Sequence, residues 1–155
     1  RLGQQEVWTK LIGDFNGYNL LAIYGTAISL GKDPLQVATA ISSLNSVAGR
    51  FQYIQKKELT AIVDYAHTPD ALENVLKTIE SIRSKNEKVI TVVGCGGNRD
   101  AAKRPEMARI AAERSDQVIL TSDNPRNEDP EAIIQEMQSG IEMHLSHKVL
   151  KITDR

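Results

Sequence analysis

"KVITVVGCGGNRD", residues 88 to 100, changes character at Gly94. Within its first seven residues, "KVITVVG", Val89 to Val93 form a continuous β-branched, mainly apolar run, too short for a helix and suited to a strand buried on both faces. A glycine-rich turn follows, and then a segment with Met107, Ile110 and Ala111 at helical spacing. The same unit repeats on both sides. Downstream, "QVILTS" (117–122) leads to a helix opened by Asp129 and Pro130 and carrying Ile134, Met137 and Ile141. "HKVLKIT" (147–153) is a further strand, and Thr153-Asp154 resembles the cap of another helix. Upstream, "VDYAHTPDALENVL" (63–76) starts as a strand and becomes a helix with Thr68 as N-cap, Pro69 at its first position, and Leu72, Val75, Leu76, Ile79 and Ile82 on one face. Buried strands alternating with helices predict an α/β fold: a doubly wound, Rossmann-like parallel sheet covered on both faces, with the strand ending at Asp64 as its first member.

The N-terminal third reads differently. Leu20, Tyr24, Ala27 and Ile28 place a helix over 16–30, with Gly31 where a C-terminal cap is expected. Asp33 and Pro34 then open a second helix with Pro34, Val37, Ala38, Ile41 and Leu44 as its stripe. The period changes near Ala48-Gly49-Arg50, and "FQYIQ" and "ELTAIVDY", joined through Lys56-Lys57, predict a hairpin.

Composition bounds the function. The chain has 155 residues, 41% apolar and 25% charged, as expected of a globular domain with part of another. Nineteen basic and 20 acidic residues are well mixed, with no footprint for nucleic acid or an anionic membrane. The lone Cys95 excludes an internal disulfide, and no apolar run approaches the ~18 residues of a membrane span or resembles a signal peptide. A cytoplasmic protein is expected.

In parallel sheets, ligands bind beyond the carboxyl ends of the strands, where helix N-termini offer unpaired N–H groups. The turns there, "DYAHTPD", "GCGGNRD" and "TSDNPRNED", are rich in chemistry, whereas the opposite turns, "SKNEK" and "ERSDQ", read as plain and solvated. An anionic ligand is expected at the first set. Helix capping explains Thr68 and Asp70 as well as ligand contact does, whereas Asp64 and His67 are not needed for capping. "GCGGNRD" matches neither G-x-G-x-x-G nor a P-loop, so its glycines carry no specific phosphate signature. Cys95 reads as a small buried residue, and His144 and His147 as surface residues outside any metal cluster. Lys103 and Arg104 read as a solvated first turn, although cations there are unfavourable unless an anion joins them.

Five strings in this order, "DFNGYN", "AGRFQ", "VDYAHTPDAL", "GCGGNRDAAKRPEM" and "TSDNPRNEDP", resemble the Mur ligases of peptidoglycan synthesis over essentially the whole chain. Within that family the similarity is greatest to members that add meso-diaminopimelate to UDP-MurNAc-L-Ala-D-Glu. The resemblance implies an ATP-dependent ligase: ATP phosphorylates a carboxylate of the UDP-MurNAc-dipeptide, the amine of the incoming amino acid attacks the acyl phosphate, and ADP and phosphate leave. It implies that residues 1–47 end the central ATP-binding domain. Residues 48–155 would form most of the amino-acid-binding domain.

On the same basis Asn16 and Asn19 match an F-N-x-x-N pair near the adenine, Arg50 the G-R of the interdomain segment, and Asp64 and His67 the D-Y-A-H-T-P contacts to the nucleotide. A guanidinium suits the catalytic role expected of Arg50, since it keeps its charge against a transferring phosphoryl group. Arg99, Asp123, Asn124 and Arg126 match the amino-acid pocket. The family's P-loop, Mg²⁺ ligands, carboxylated lysine and UDP-sugar domain are expected before residue 1, and a late Gly and Glu after residue 155, so the chain alone is expected to be inactive. A monomer is expected. The alternatives are a sister ligase, lysine-adding or folylpolyglutamate synthase-like, and a noncatalytic nucleotide- or anion-binding α/β module.

Overall fold

The computed structural model describes residues 5–84 and 86–155. Residues 1–4 of the expected first domain, and Lys85 of the expected 84–88 turn, lie outside the described residues. The chain forms two compact units, one ending at Tyr65 and the other spanning Ala66–Arg155.

In the first unit, α1 (Asp14–Ser29) ends before Gly31, whose φ of 75° suits a residue without a Cβ. α2 (Pro34–Ser42) begins where the Asp33 carboxylate accepts the Gln36 N–H at 2.9 Å. The two helices meet through buried Leu20 and Ile41, with Val7, Leu11, Tyr24 and Val37 packed around them. The expected hairpin follows: β1 (Gln52–Lys56) pairs antiparallel with β2 (Leu59–Val63) across a two-residue turn. Lys57, at φ 55°, supplies its left-handed residue. One expectation is corrected here, because among the described residues β2 pairs with β1 and takes no place in the parallel sheet. A two-residue turn delivers the next strand antiparallel, whereas a parallel neighbour needs a long crossover.

The second unit carries the parallel sheet, β3 (Ile90–Val93), β4 (Gln117–Leu120) and β5 (Val149–Lys151), in that order. α3 (Pro69–Ile82) precedes β3, with its first turn capped as expected by Thr68, whose hydroxyl accepts the Ala71 N–H. α4 (Lys103–Arg114) and α5 (Pro130–Gln138) form the crossovers. The α/β class and the parallel sheet agree with expectation, but within the described residues the winding runs in one direction. Right-handed crossovers between strands in sequential order place both helices on one face. Thr91, Val93, Val118 and Leu120 are buried on that side, whereas Ile90, Val92 and Leu150 are 56%, 56% and 55% exposed. α4 lies central to the helical layer, and Ala108, Ala111 and Ala112, all fully buried, let it approach the sheet and its neighbours closely.

The turns opposite the candidate site are more than solvated connections. Ser115 is buried and its hydroxyl bonds that of Thr91 at 2.7 Å, while Lys148 Nζ reaches the Ser115 carbonyl at 3.2 Å. The Asp116 carboxylate accepts the Val89 N–H at 2.8 Å and pairs with Arg83 at 3.1 Å. These bonds, the backbone one foremost, hold its carboxyl below the usual range, as Arg114 and then Lys77 do for Glu73. Such groups bind protons more weakly folded than unfolded. Their contribution to stability is therefore complete above the ordinary carboxylate pKa of ~4 and is lost as pH falls through the lower folded values. Thermal unfolding followed by circular dichroism should show a melting temperature flat from pH 7 to about 5 and falling below about 4. A melting temperature unchanged down to pH 2.5 would contradict this.

Candidate functional site

The loops after β3 and β4 pack backbone against backbone, and the glycines make that possible. A Cβ on Gly97 would lie 1.8 Å from the Pro125 carbonyl oxygen, and one on Gly94 would lie 2.5 Å from that of Thr121. The glycines therefore serve loop packing. Gly97 N–H donates to the Asn124 carbonyl at 3.2 Å, and Asn127 N–H to the Asn98 side-chain oxygen at 3.1 Å. Asn98, Asn124 and Arg126 all take left-handed backbone conformations, at φ 51°, 52° and 55°. Asn tolerates this region, but for Arg it is uncommon and is held by the surrounding bonds. Gly97→Ala should separate the loops and lower the chain's stability by about 1–3 kcal/mol in denaturant titration. An unchanged midpoint would show that the contact yields freely.

This packing brings together three of the four predicted pocket residues. The position a Cβ would occupy on Gly96 lies 2.9 Å from Arg126 Nη1, 3.9 Å from Arg99 Cγ and 3.9 Å from the Asn124 carbonyl oxygen. Arg126 Nη1 donates to the Gly97 carbonyl at 2.7 Å and more weakly to that of Asn124 at 3.3 Å. The surface pairing of Arg126 with Glu128 or Asp129, which its spacing also permits, is not formed. Arg99 and Arg126 are exposed, and neither has a carboxylate within ion-pair distance among the described residues. Asp123, half-buried beside Gly94, receives Arg155 Nη1 at 3.5 Å. Two uncompensated guanidinium groups in one loop pair are chemically suited to a carboxylate.

His67 belongs to the same unit. Its carbonyl accepts Lys103 Nζ at 2.6 Å, which ties the 66–68 segment to the first turn of α4. Asn16, Asn19, Arg50 and Asp64 lie in the first unit. There Asn16 Nδ2 donates to the Ile12 carbonyl at 2.7 Å, and Asn19 Nδ2 to Asn16 Oδ1 at 3.3 Å, so the two amides form one hydrogen-bonded pair. The Asp64 carboxylate accepts the Phe51 N–H at 2.7 Å, steadying a buried Phe51 at φ 44° at the base of the hairpin. The Arg50 guanidinium lies over the Tyr65 ring, 4.6 Å from its centroid.

Sequence reading missed Arg104. Expected in a solvated turn, it is 1% exposed and pairs with Glu128 at 2.9 Å and Glu136 at 2.8 Å. The signal was the cation at a helix N-terminus, which calls for an anion; here two carboxylates supply it. Arg104, with the Asn98 N–H, holds the Glu128 carboxyl below its usual range. Cys95 is buried as expected, its thiol 3.7 Å from Met107 Sδ, and burial pushes its pKa up. Among the described residues no three His, Cys, Asp or Glu side chains gather to hold a metal ion. No helix among them is long and apolar enough to cross a membrane.

A family model described as Mur ligase, glutamate ligase domain, matches residues 49–155. The UDP-N-acetylmuramoyl-L-alanyl-D-glutamate–2,6-diaminopimelate ligase of Cytophaga hutchinsonii is 57% identical over 151 residues, which cover 97% of this chain and 31% of that protein. The protein of the same name from Parabacteroides distasonis is 56% identical over 152 residues, with the same coverage of 97% and 31%. A solved structure of a ligase of that name superposes with a TM-score of 0.65 at 44% identity, over 96% of this chain and 30% of the other. Mycobacterium tuberculosis folylpolyglutamate synthase, solved with ADP and AMPPCP, shares the fold, with a TM-score of 0.73 at 19% identity over 96% of this chain and 33% of the other. The chain thus spans 31% of the length of the first two relatives. With most of its residues matched by the family model, and more than half of them identical in each of those relatives, the chain belongs to the Mur ligase family.

Proposed function

We propose that this chain is the amino-acid-binding end, with part of the nucleotide wall, of an ATP-dependent ligase that adds meso-diaminopimelate to UDP-MurNAc-L-Ala-D-Glu in peptidoglycan synthesis. The observation that carries this is the meeting of Arg126, Arg99 and Asn124 around Gly96, beyond the carboxyl ends of β3 and β4. Diaminopimelate is distinguished from lysine by a distal carboxylate, and a guanidinium with free donors recognises such a group. In this reading Arg126 and Arg99 bind that carboxylate, Asn124 and Asp123 bind the polar head, and residues 48–155 form the amino-acid-binding domain. Residues 1–47 close the ATP-binding domain.

ATP is the phosphoryl donor to the dipeptide carboxylate, and the amine of diaminopimelate then displaces phosphate. Asn16 and Asn19 hold the adenine, Asp64 and His67 the rest of the nucleotide, and Arg50 neutralises charge on the phosphoryl group in flight. Arg50 fits that role: it has no carboxylate within ion-pair distance among the described residues, so its charge is left for an anion. No group of three His, Cys, Asp or Glu side chains that could hold Mg²⁺ is assembled among the described residues. The ligase works as a monomer in the cytoplasm.

The test is ADP release by the full-length ligase carrying this chain, with UDP-MurNAc-L-Ala-D-Glu and either diaminopimelate or lysine as acceptor. Turnover with diaminopimelate should exceed that with lysine by at least ~30-fold in kcat/KM, the worth of one well-formed charged contact. Equal rates, or none with diaminopimelate, would overturn it.

A further inference from the structure

We infer that Arg104, buried beneath the loops that carry Arg99 and Arg126, is a positioning residue for the amino-acid pocket. The inference rests on the assignment of that pocket above. The Arg104 guanidinium lies beneath the two loops. Its Nη1 contacts Glu128 Oε2 at 2.9 Å and Glu136 Oε2 at 2.8 Å, and its Nη2 contacts Glu128 Oε1 at 3.0 Å and the Gly96 carbonyl at 3.3 Å. One planar group thus joins α4, α5, the glycine loop and the loop after β4.

The connections continue to the pocket residues themselves. Glu128 Oε1 also accepts the N–H of Asn98, which adjoins Arg99, and the Asn98 side chain accepts the N–H of Asn127, which adjoins Arg126. Glu128 N–H in turn donates to the Pro125 carbonyl at 3.0 Å, closing the turn that carries Arg126.

Stability alone is a poor account of this cluster. Desolvating a cation and its partner carboxylates offsets much of their attraction, and apolar side chains of similar volume often serve the fold as well. Arg104 Nε is moreover buried without a hydrogen-bond partner among the described residues. What an apolar replacement lacks is a rigid fork that sets the spacing of two loops. At Arg126 the left-handed backbone, uncommon for a residue other than Gly or Asn, is held by the bonds between these loops. Lysine keeps the charge but not the fork, so it cannot bridge both oxygens of Glu128 and the Gly96 carbonyl in one plane.

The experiment uses the full-length ligase with Arg104→Lys and, because a buried cation is sensitive, Glu128→Gln, whose side chain is 33% exposed. Folding is checked by thermal melting, and KM is measured separately for diaminopimelate, ATP and the UDP-dipeptide. Each variant should raise the KM for diaminopimelate by ~10-fold or more while the other two KM values move by less than about twofold. Added to Arg126→Ala, Arg104→Lys should have less than about a third of its effect alone, since both act through one pocket. A lowered melting temperature with an unchanged KM for diaminopimelate, in both variants, would make Arg104 a packing residue and overturn the inference. So would an equal rise in all three KM values. If Arg126→Ala itself leaves the KM for diaminopimelate unchanged, the pocket assignment has failed first and takes this inference with it.

Discussion

Arg126→Ala in the full-length ligase should cost about 2 kcal/mol or more in kcat/KM for diaminopimelate, roughly 30-fold, and little for lysine. meso-Diaminopimelate carries one carboxylate that lysine lacks, and a site that desolvates it without a cation leaves that charge unpaired. Arg126 is suited to the task because Nη1 is anchored on the Gly97 carbonyl at 2.7 Å, while Nη2 and Nε make no bond to the described residues. The backbone does not confuse the experiment. Arg and Ala both carry a Cβ, so the penalty of the left-handed conformation at φ 55° is common to both and cancels. Arg126→Gly should relieve that penalty, raising stability by up to ~1 kcal/mol, and should lose selectivity to the same extent. If Arg126→Gly restored the selectivity that Arg126→Ala lost, or if both amino acids lost equally, Arg126 would be a turn residue and no more.

Arg50→Ala should lower kcat by about 100-fold and raise the KM for diaminopimelate by less than about threefold, because a group that meets charge developing on a phosphoryl group acts mainly in the transition state. In the structure its guanidinium rests on the Tyr65 ring at 4.6 Å, a contact worth about 0.5–1 kcal/mol at an exposed site. That contact is large enough to hold the cation and small enough to give it up to an anion. It also supplies the control. If Arg50 serves only to pin Tyr65, then Tyr65→Leu should reproduce the whole loss of kcat. If it serves the phosphoryl group, Tyr65→Leu should cost about tenfold at most and Arg50→Lys should recover only part of the rate. An unchanged kcat for Arg50→Ala in steady-state assays would remove it from the mechanism.

Local chemistry explains what was legible. Asp33-Pro34, Thr68-Pro69 and Asp129-Pro130 each announce a helix because an acceptor side chain and a proline fit the same few backbone atoms, and all three open helices where they stand. The short run at Lys56-Lys57-Glu58 between two extended segments was equally local, and its hairpin formed. The assignment of β2 to the parallel sheet went astray for the complementary reason. A five-residue apolar strand carries no mark of its partner, and pairing is decided by which edge is free and how the connection returns.

The sequence by itself determined the order of the α-helices and strands, the α/β class, the N-caps at Asp33, Thr68 and Asp129 and the presence of three polar turns after strands, since each depends on residues within about one or two helical turns. It also placed Arg99, Asn124 and Arg126 on loops that a parallel sheet brings to one edge. Only the tertiary structure decided which glycines were needed and which cation was buried. Gly97 is intolerant of a Cβ because of the Pro125 carbonyl, 28 positions away in sequence, and Arg104 is buried because Glu128 and Glu136 arrive from α5 and the loop before it. Neither fact is written in the neighbouring residues. Close approach and charge compensation are properties of surfaces that meet only after the chain has crossed from β3 through α4 to β4, so they belong to the folded molecule.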